Sequence, residues 1–287
     1  MTRFRMAGAT ALLLLVTGCG GGTSQGEAPR TVLAAAPAPT EEVRNLVLPL
    51  DDYRLSVNEI YLIESAQDRL TRACMRKRGY DWEVIDHRNH YPDLRNRRRY
   101  GVIEMAVAKE MGYKSNARLM GSTDITARKT DREKRLGPAE KQAALNPADG
   151  CYKRSGDQLA HGNEVDEGLV NKLNSLSLDK ALKSPAGARA TRSWARCMRE
   201  RGHPYRDFYA AAEDPRWTRS DTPSRAERQT AEADVTCKRR VGLVKVLSEQ
   251  ERAIQNRDIR EHRDYFARLR SAKDRHLAAA RAVLGRR

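Results

Sequence analysis

The chain has 287 residues, 54 Lys and Arg against 38 Asp and Glu, a formal net charge of +16, 32 % charged residues and only 6 % aromatics. So much charge, with abundant Arg, Ala and Glu, excludes a polytopic membrane protein and favours helices over sheet. Its basic balance points toward anionic partners.

The N-terminus reads as an address. Arg3 and Arg5 precede an apolar stretch, residues 6–16, that is too short to span a bilayer as a mature helix. Val16-Thr17-Gly18-Cys19 then resembles the lipobox of bacterial lipoprotein signal peptides. That resemblance implies a signal peptide over residues 1–18 and cleavage before Cys19. The Cys19 thiol would carry a diacylglyceryl group, with a palmitate-type acyl chain beside it. One acyl chain holds a protein only marginally, at roughly 0.8 kcal/mol per buried methylene, so stable attachment needs more than one. Residues 19–45, rich in Gly, Ser, Ala and Pro toward their start, are expected to be a flexible tether.

The folded part carries an internal repeat. Cys74-Met75-Arg76-Lys77-Arg78-Gly79 returns as Cys197-Met198-Arg199-Glu200-Arg201-Gly202, and each copy has a later cysteine followed by a basic pair, at Cys151 and at Cys237. This divides the chain into a first helical unit, 46–156, and a second, 157–287. Setting Cys19 aside leaves an even number of cysteines in an exported protein, which favours disulfides over metal ligation or thiol chemistry. Four cysteines allow three pairings. The repeat selects Cys74–Cys151 and Cys197–Cys237, one closing each unit.

In chain order, Ser56 and Glu59 form a capping box for a helix over 57–78 whose apolar face is Ile60, Ile63, Gln67, Leu70 and Cys74, ended by Gly79. His87 and His90 have chelate spacing but stand alone. Arg95-Asn96-Arg97-Arg98-Arg99-Tyr100 is the densest basic cluster. It fits either a solvated face beside an acidic segment or, through Arg97, Arg98 and Arg99, contact with a polyanion. A helix is expected over 102–111, long polar loops over 112–123 and 129–141, and a short helix starting at Pro138. The second unit opens with a helix over 165–183 with Leu169, Leu173, Leu176 and Lys180 on or near one face. Ser184-Pro185-Ala186-Gly187 is expected to break it. A cysteine helix over 189–201 turns Trp194, Cys197 and Met198 inward. From Ser224 the apolar spacing runs almost to Leu284, as one helix of about 60 residues or as a shorter one bent near Arg270. Residues 238–287 hold 15 basic and 6 acidic side chains. Arg257, Arg260, Arg263 and Arg268 are the candidate polyanion contacts there.

Ser177 and Lys180 match a Ser-x-x-Lys spacing, but the companion motifs of penicillin-binding enzymes are missing. No catalytic residue, metal ligand set or cofactor motif is assigned. The folded part is similar to a group of secreted actinobacterial lipoproteins of unknown function. The similarity lies in Leu48-Pro49-Leu50-Asp51, Ala73-Cys74-Met75-Arg76, Arg98-Arg99-Tyr100-Gly101, Trp194-Ala195-Arg196-Cys197-Met198 and Ala233-Asp234-Val235-Thr236-Cys237-Lys238.

The expectation is an all-α, disulfide-stapled protein, lipid-anchored on the extracytoplasmic face of the cell membrane. It would serve as a non-enzymatic binding or scaffolding module for anionic wall polymers or lipid headgroups, with nucleic acid not expected. A cell-wall hydrolase or transferase with an unrecognised site is the alternative.

Overall fold

The computed structural model describes residues 36–85, 91–116, 119–121, 124–162 and 167–285. The lipobox with Cys19 and the His87–His90 pair lie outside the described residues. Among the described residues there is no strand, and twelve α-helices carry the fold. They are α1 (Glu41–Arg44), α2 (Val57–Lys77), α3 (Met105–Met111), α4 (Asp124–Arg135), α5 (Pro138–Leu145), α6 (Cys151–Ala160), α7 (Gly168–Lys183), α8 (Pro185–Glu200), α9 (Phe208–Ala212), α10 (Arg225–Val241), α11 (Leu243–Glu261) and α12 (Arg263–Gly285). No described helix is long and apolar enough to cross a membrane.

The described residues from 36 to 285 make one compact unit, in which helices from the two sequence halves pack on one another. Helix α12 packs along α2 and α6, α3 packs on α10, and α11 lies against α7 and α8. The main core gathers Tyr100, Trp194, Met198, Phe208, Leu243 and Leu247, all at most 3 % exposed. Smaller clusters lie under α12, where Phe266 and Leu269 meet Leu50 and Val170, and around the first disulfide, where Met75 and Trp82 meet Ala144.

Both predicted disulfides are present, Cys74–Cys151 with Cα atoms 5.6 Å apart and Cys197–Cys237 at 5.7 Å. The repeat is a repeat of backbone as well as sequence. Gly79 and Gly202 share φ +82°. Three residues past each helix end the amide turns back: Tyr80 N donates to Met75 O at 3.0 Å and His203 N to Met198 O at 2.9 Å. This closing turn needs a left-handed residue after the helix, which glycine supplies without Cβ strain.

The predicted box is found: Ser56 Oγ accepts from Glu59 N at 3.3 Å, and Glu59 accepts from Ser56 N at 2.7 Å. Several local expectations change. On α2 the buried face is Ile63, Ala66, Asp68, Thr71 and Met75, and Ile60 is 40 % exposed. On α7 it is rotated to Val170, Leu173, Ser177 and Ala181, leaving Leu176 37 % exposed. The break expected at Ser184-Pro185 is found, and α8 starts directly there instead of at residue 189: Ser184 Oγ caps Gly187 N at 3.0 Å and Pro185 takes the first helical position. Gly187 is required there, because a Cβ would lie 2.0 Å from the Ala181 carbonyl oxygen. The polar stretch 129–141 is largely helical, held by Arg132, which α4 turns into the interior.

The tether is also shorter than its composition suggests. Thr40 caps α1, Val43 is 2 % exposed, and the Pro37 carbonyl accepts from Arg97 at 2.7 Å, so residues 36–45 belong to the folded body. The C-terminal run is three helices. Gly242 interrupts it in the left-handed conformation (φ +63°), and His262, at φ −115°, separates α11 from the 23-residue α12. Both breaks fall away from Arg270; α10 packs on α3 and α8, α11 on α7 and α8, and α12 on α2 and α6.

Candidate functional site

The arginine cluster at 95–99 is an internal clamp, not an anion-binding surface. Arg97 is 2 % exposed: its Nε donates to Glu104 at 2.6 Å, Nη1 to the Leu119 carbonyl at 2.9 Å and Nη2 to the Pro37 carbonyl. Arg98 Nη2 donates to the Tyr113 carbonyl at 2.9 Å, and burial pushes the pKa of its guanidinium down. Arg99 grips Glu251, with Nε 3.0 Å from both carboxylate oxygens. Glu251 is wholly buried and also accepts from Tyr100 Oη at 2.8 Å and Ser177 Oγ at 2.7 Å. Asn96 donates to the Leu46 carbonyl at 3.0 Å and to Asp51 at 2.6 Å.

Five consecutive polar side chains, Asn96 to Tyr100, thus tie the N-terminal segment to the start of α3, to α7 and to α11. Buried charges persist only when paired and hydrogen-bonded, and each of these arginines finds a carboxylate or a carbonyl. Ser177 is consumed in the same network, and Lys180 Nζ lies 3.7 Å from Asp258, so the Ser-x-x-Lys spacing is structural.

The C-terminal arginines behave differently. Arg257, Arg260, Arg263 and Arg268 are all exposed. Arg257 and Arg260 are three apart on α11 and share a face. Arg260 and Arg263 line one open depression of about 490 Å³ at the α11–α12 corner, together with Glu261, His262, Asp264 and Tyr265. The corner exists because His262 breaks the helix, and it brings two guanidinium groups to one concavity. Arg263 has a loose contact with Asp264, Nε to Oδ1 3.6 Å. For Arg257, Arg260 and Arg268 no ion pair is formed among the described residues. Arg268 stands about 140° round the helix from Arg263, so the four arginines form an edge and not a single stripe.

A second place carries chemistry that the sequence did not single out. Beyond Gly202 the chain turns through His203-Pro204-Tyr205, and this turn, the short helical turn Pro215–Arg219 and the start of α10 enclose a cavity of about 410 Å³. Its lining includes His203, Tyr205, Arg216, Trp217, Gln229 and Thr230. Tyr205 Oη donates to Asp214 Oδ2 at 2.6 Å, and Arg216 holds the same carboxylate through Nε at 3.0 Å and Nη2 at 2.8 Å. The Arg216 hydrogen bonds keep the Asp214 carboxyl well below the usual carboxylate range. Burial, with Arg216 adding to it, pushes the His203 imidazole down, and burial with Asp214 pushes the Tyr205 phenol up. The only hint in the sequence was the position of this turn after a repeated motif.

No group of three or more potential metal ligands occurs among the described residues. No protein-family model, curated protein or solved structure matches this chain.

Proposed function

We propose that the protein is a lipid-anchored binding or scaffolding module of the cell envelope. A diacylglyceryl group on Cys19 would hold it to the extracytoplasmic face of the membrane. Its partners would be anionic wall polymers or lipid headgroups, engaged by charge at the α11–α12 corner. The likeness of the N-terminus to a lipobox and of the folded part to secreted actinobacterial lipoproteins supports the location.

The observation that carries the binding reading is the contrast between two arginine sets. Arg97, Arg98 and Arg99 are turned inward, and Arg97 and Arg99 are neutralised by Glu104 and Glu251. Arg257, Arg260, Arg263 and Arg268 are exposed, and among the described residues their only ion-pair contact is the loose one at Arg263. Clustered guanidinium groups without internal partners attract polyanions, and such attraction falls with salt. Vesicles with and without anionic lipid, and soluble teichoic acid, test it directly. The protein should sediment with the anionic vesicles and bind the polymer. Replacing the four arginines by Gln should weaken both. Equal retention on neutral and anionic vesicles, unchanged by the substitutions, would remove the reading.

A further inference from the structure

The two copies of the cysteine motif end in the same backbone turn and place an aromatic residue at the same position, three past the glycine: Trp82 in one, Tyr205 in the other. Each aromatic donates to a carboxylate that an arginine also grips. Trp82 Nε1 donates to Asp68 at 3.0 Å, and Arg132 Nη1 reaches the two oxygens of Asp68 at 2.9 and 2.8 Å. Tyr205, Asp214 and Arg216 repeat that arrangement. In each case the guanidinium also lies over an indole ring, Arg132 at 3.9 Å from the centroid of Trp82 and Arg216 at 4.8 Å from that of Trp217.

The surroundings differ. Trp82, Asp68 and Arg132 are at most 3 % exposed, and the first copy is filled core. In the second, Arg216 keeps 59 % of its side chain exposed, and the cavity opens where the first copy is plugged. The same local device thus occurs once as core and once as the wall of a concavity.

The polarity of that wall can be derived. The Thr230 hydroxyl has one proton, and its helical partner is the Ala226 carbonyl at 2.9 Å. With that proton donated to the carbonyl, Thr230 Oγ1 is the acceptor in its contact with His203 Nδ1, 3.2 Å away. With Nδ1 carrying the proton of a neutral imidazole, Nε2 keeps a lone pair and is an acceptor. Arg216 spends Nε and Nη2 on Asp214 and Tyr205, which leaves the Nη1 donors. The exposed Gln229 amide offers both a donor and an acceptor. Donors and acceptors are mixed, and the one charge, on Arg216, is cancelled by Asp214.

A wall of this kind matches hydroxyl groups, which donate and accept, better than it matches a free ion. Its volume is in the range that takes a small molecule. We propose that this cavity binds an uncharged, hydroxyl-rich ligand, a saccharide unit, through His203, Arg216 and Gln229. The site shares no residue with the α11–α12 corner, so either reading can fail alone.

The test is titration of the full-length protein, in detergent, with tri-N-acetylchitotriose and with maltotriose, followed by calorimetry and by indole fluorescence. All three tryptophans are buried, but Trp217 lines the cavity and Trp82 and Trp194 do not, so a fluorescence change reports the site. Saturable binding of either sugar is expected. Gln229→Ala should weaken it by about tenfold, the value of one or two lost hydrogen bonds. Tyr205→Trp, which installs the aromatic of the plugged copy, should weaken it at least as much. Gln229 is exposed, so its variant decides even if Tyr205→Trp unfolds. Absence of saturable binding by both sugars at millimolar concentration would overturn the proposal. So would parental affinity in Gln229→Ala, or displacement of the sugar by inorganic phosphate, which would make the site an anion site.

Discussion

Arg99 and Glu251 stand 152 positions apart in the chain and meet as a buried ion pair, with the Arg99 Nε 3.0 Å from each carboxylate oxygen. The pair joins the arginine cluster to α11 and draws Tyr100 and Ser177 to the same carboxylate. Removing one partner of a buried pair leaves the other charge unpaired, which costs about 3–5 kcal/mol. Glu251→Ala should therefore lower stability by about that amount in denaturant unfolding. Arg99→Gln should also destabilise the fold, and it should leave binding to anionic vesicles unchanged under conditions where the protein stays folded. Loss of vesicle binding with unaltered stability would mean that Arg99 faces a partner after all.

The disulfides give the second prediction. Peptide mapping without reduction should recover Cys74 joined to Cys151 and Cys197 joined to Cys237. The bridges close loops with sequence separations of 77 and 40 residues. In the chain-entropy picture each is worth about 4 kcal/mol. Replacing Cys197 and Cys237 together by Ser should lower the unfolding free energy by a substantial part of that, and a change within about 0.5 kcal/mol would contradict it.

These two results show what was legible in the sequence. The repeat placed both disulfides, and capping and periodicity placed α2 and its glycine stop at Gly79. Those signals are local or self-referential. The role of the arginine cluster was not legible, because Arg97 and Arg99 read as surface charge until Glu104 and Glu251 are known to face them. The breaks at Gly242 and His262 were missed because the apolar spacing carries through both. The cavity beside His203 was invisible for a related reason: Tyr205, Asp214 and Arg216 assemble from a turn and a short helical segment, neither of which has a periodic signature.

Protonation supplies a third prediction. His203 and His276 both have pKa values lowered in the folded state, His203 by burial and Arg216, His276 by burial alone. The unfolded chain then binds more protons than the folded one as pH falls through the ordinary histidine value of about 6.5. Stability from these groups is complete above that value and is lost progressively below it. Melting temperature should therefore fall between about pH 7 and pH 5. Joint replacement of His203 and His276 by Gln should flatten that part of the profile. The lowered carboxyl of Asp214 acts in the same direction but only in more acidic solution. An unchanged slope between neutral and mildly acidic pH in the double variant would contradict this assignment.

The anchor is tested by Cys19→Ala. The substitution removes the thiol that would take the lipid, so metabolic labelling with palmitate should disappear and the protein should leave the membrane fraction. A variant that stays in the membrane fraction as fully as the parent, with no label on either, would refute lipidation at Cys19.

The binding reading stands most directly on the salt dependence of polyanion affinity. Each cationic group that pairs with a polyanion releases condensed counterions, so the logarithm of the affinity falls linearly with the logarithm of salt concentration, more steeply the more groups take part. At about 0.15 M salt the screening length is near 8 Å, so only guanidinium groups close to the polymer count. Affinity for teichoic acid should be measured against salt for the parent and for the variant with Arg257, Arg260, Arg263 and Arg268 replaced by Gln. The predicted result is weaker binding and a shallower slope in the variant, with helicity unchanged. Equal affinities and equal slopes would show that the exposed arginines of α11 and α12 are a solvated surface and nothing more.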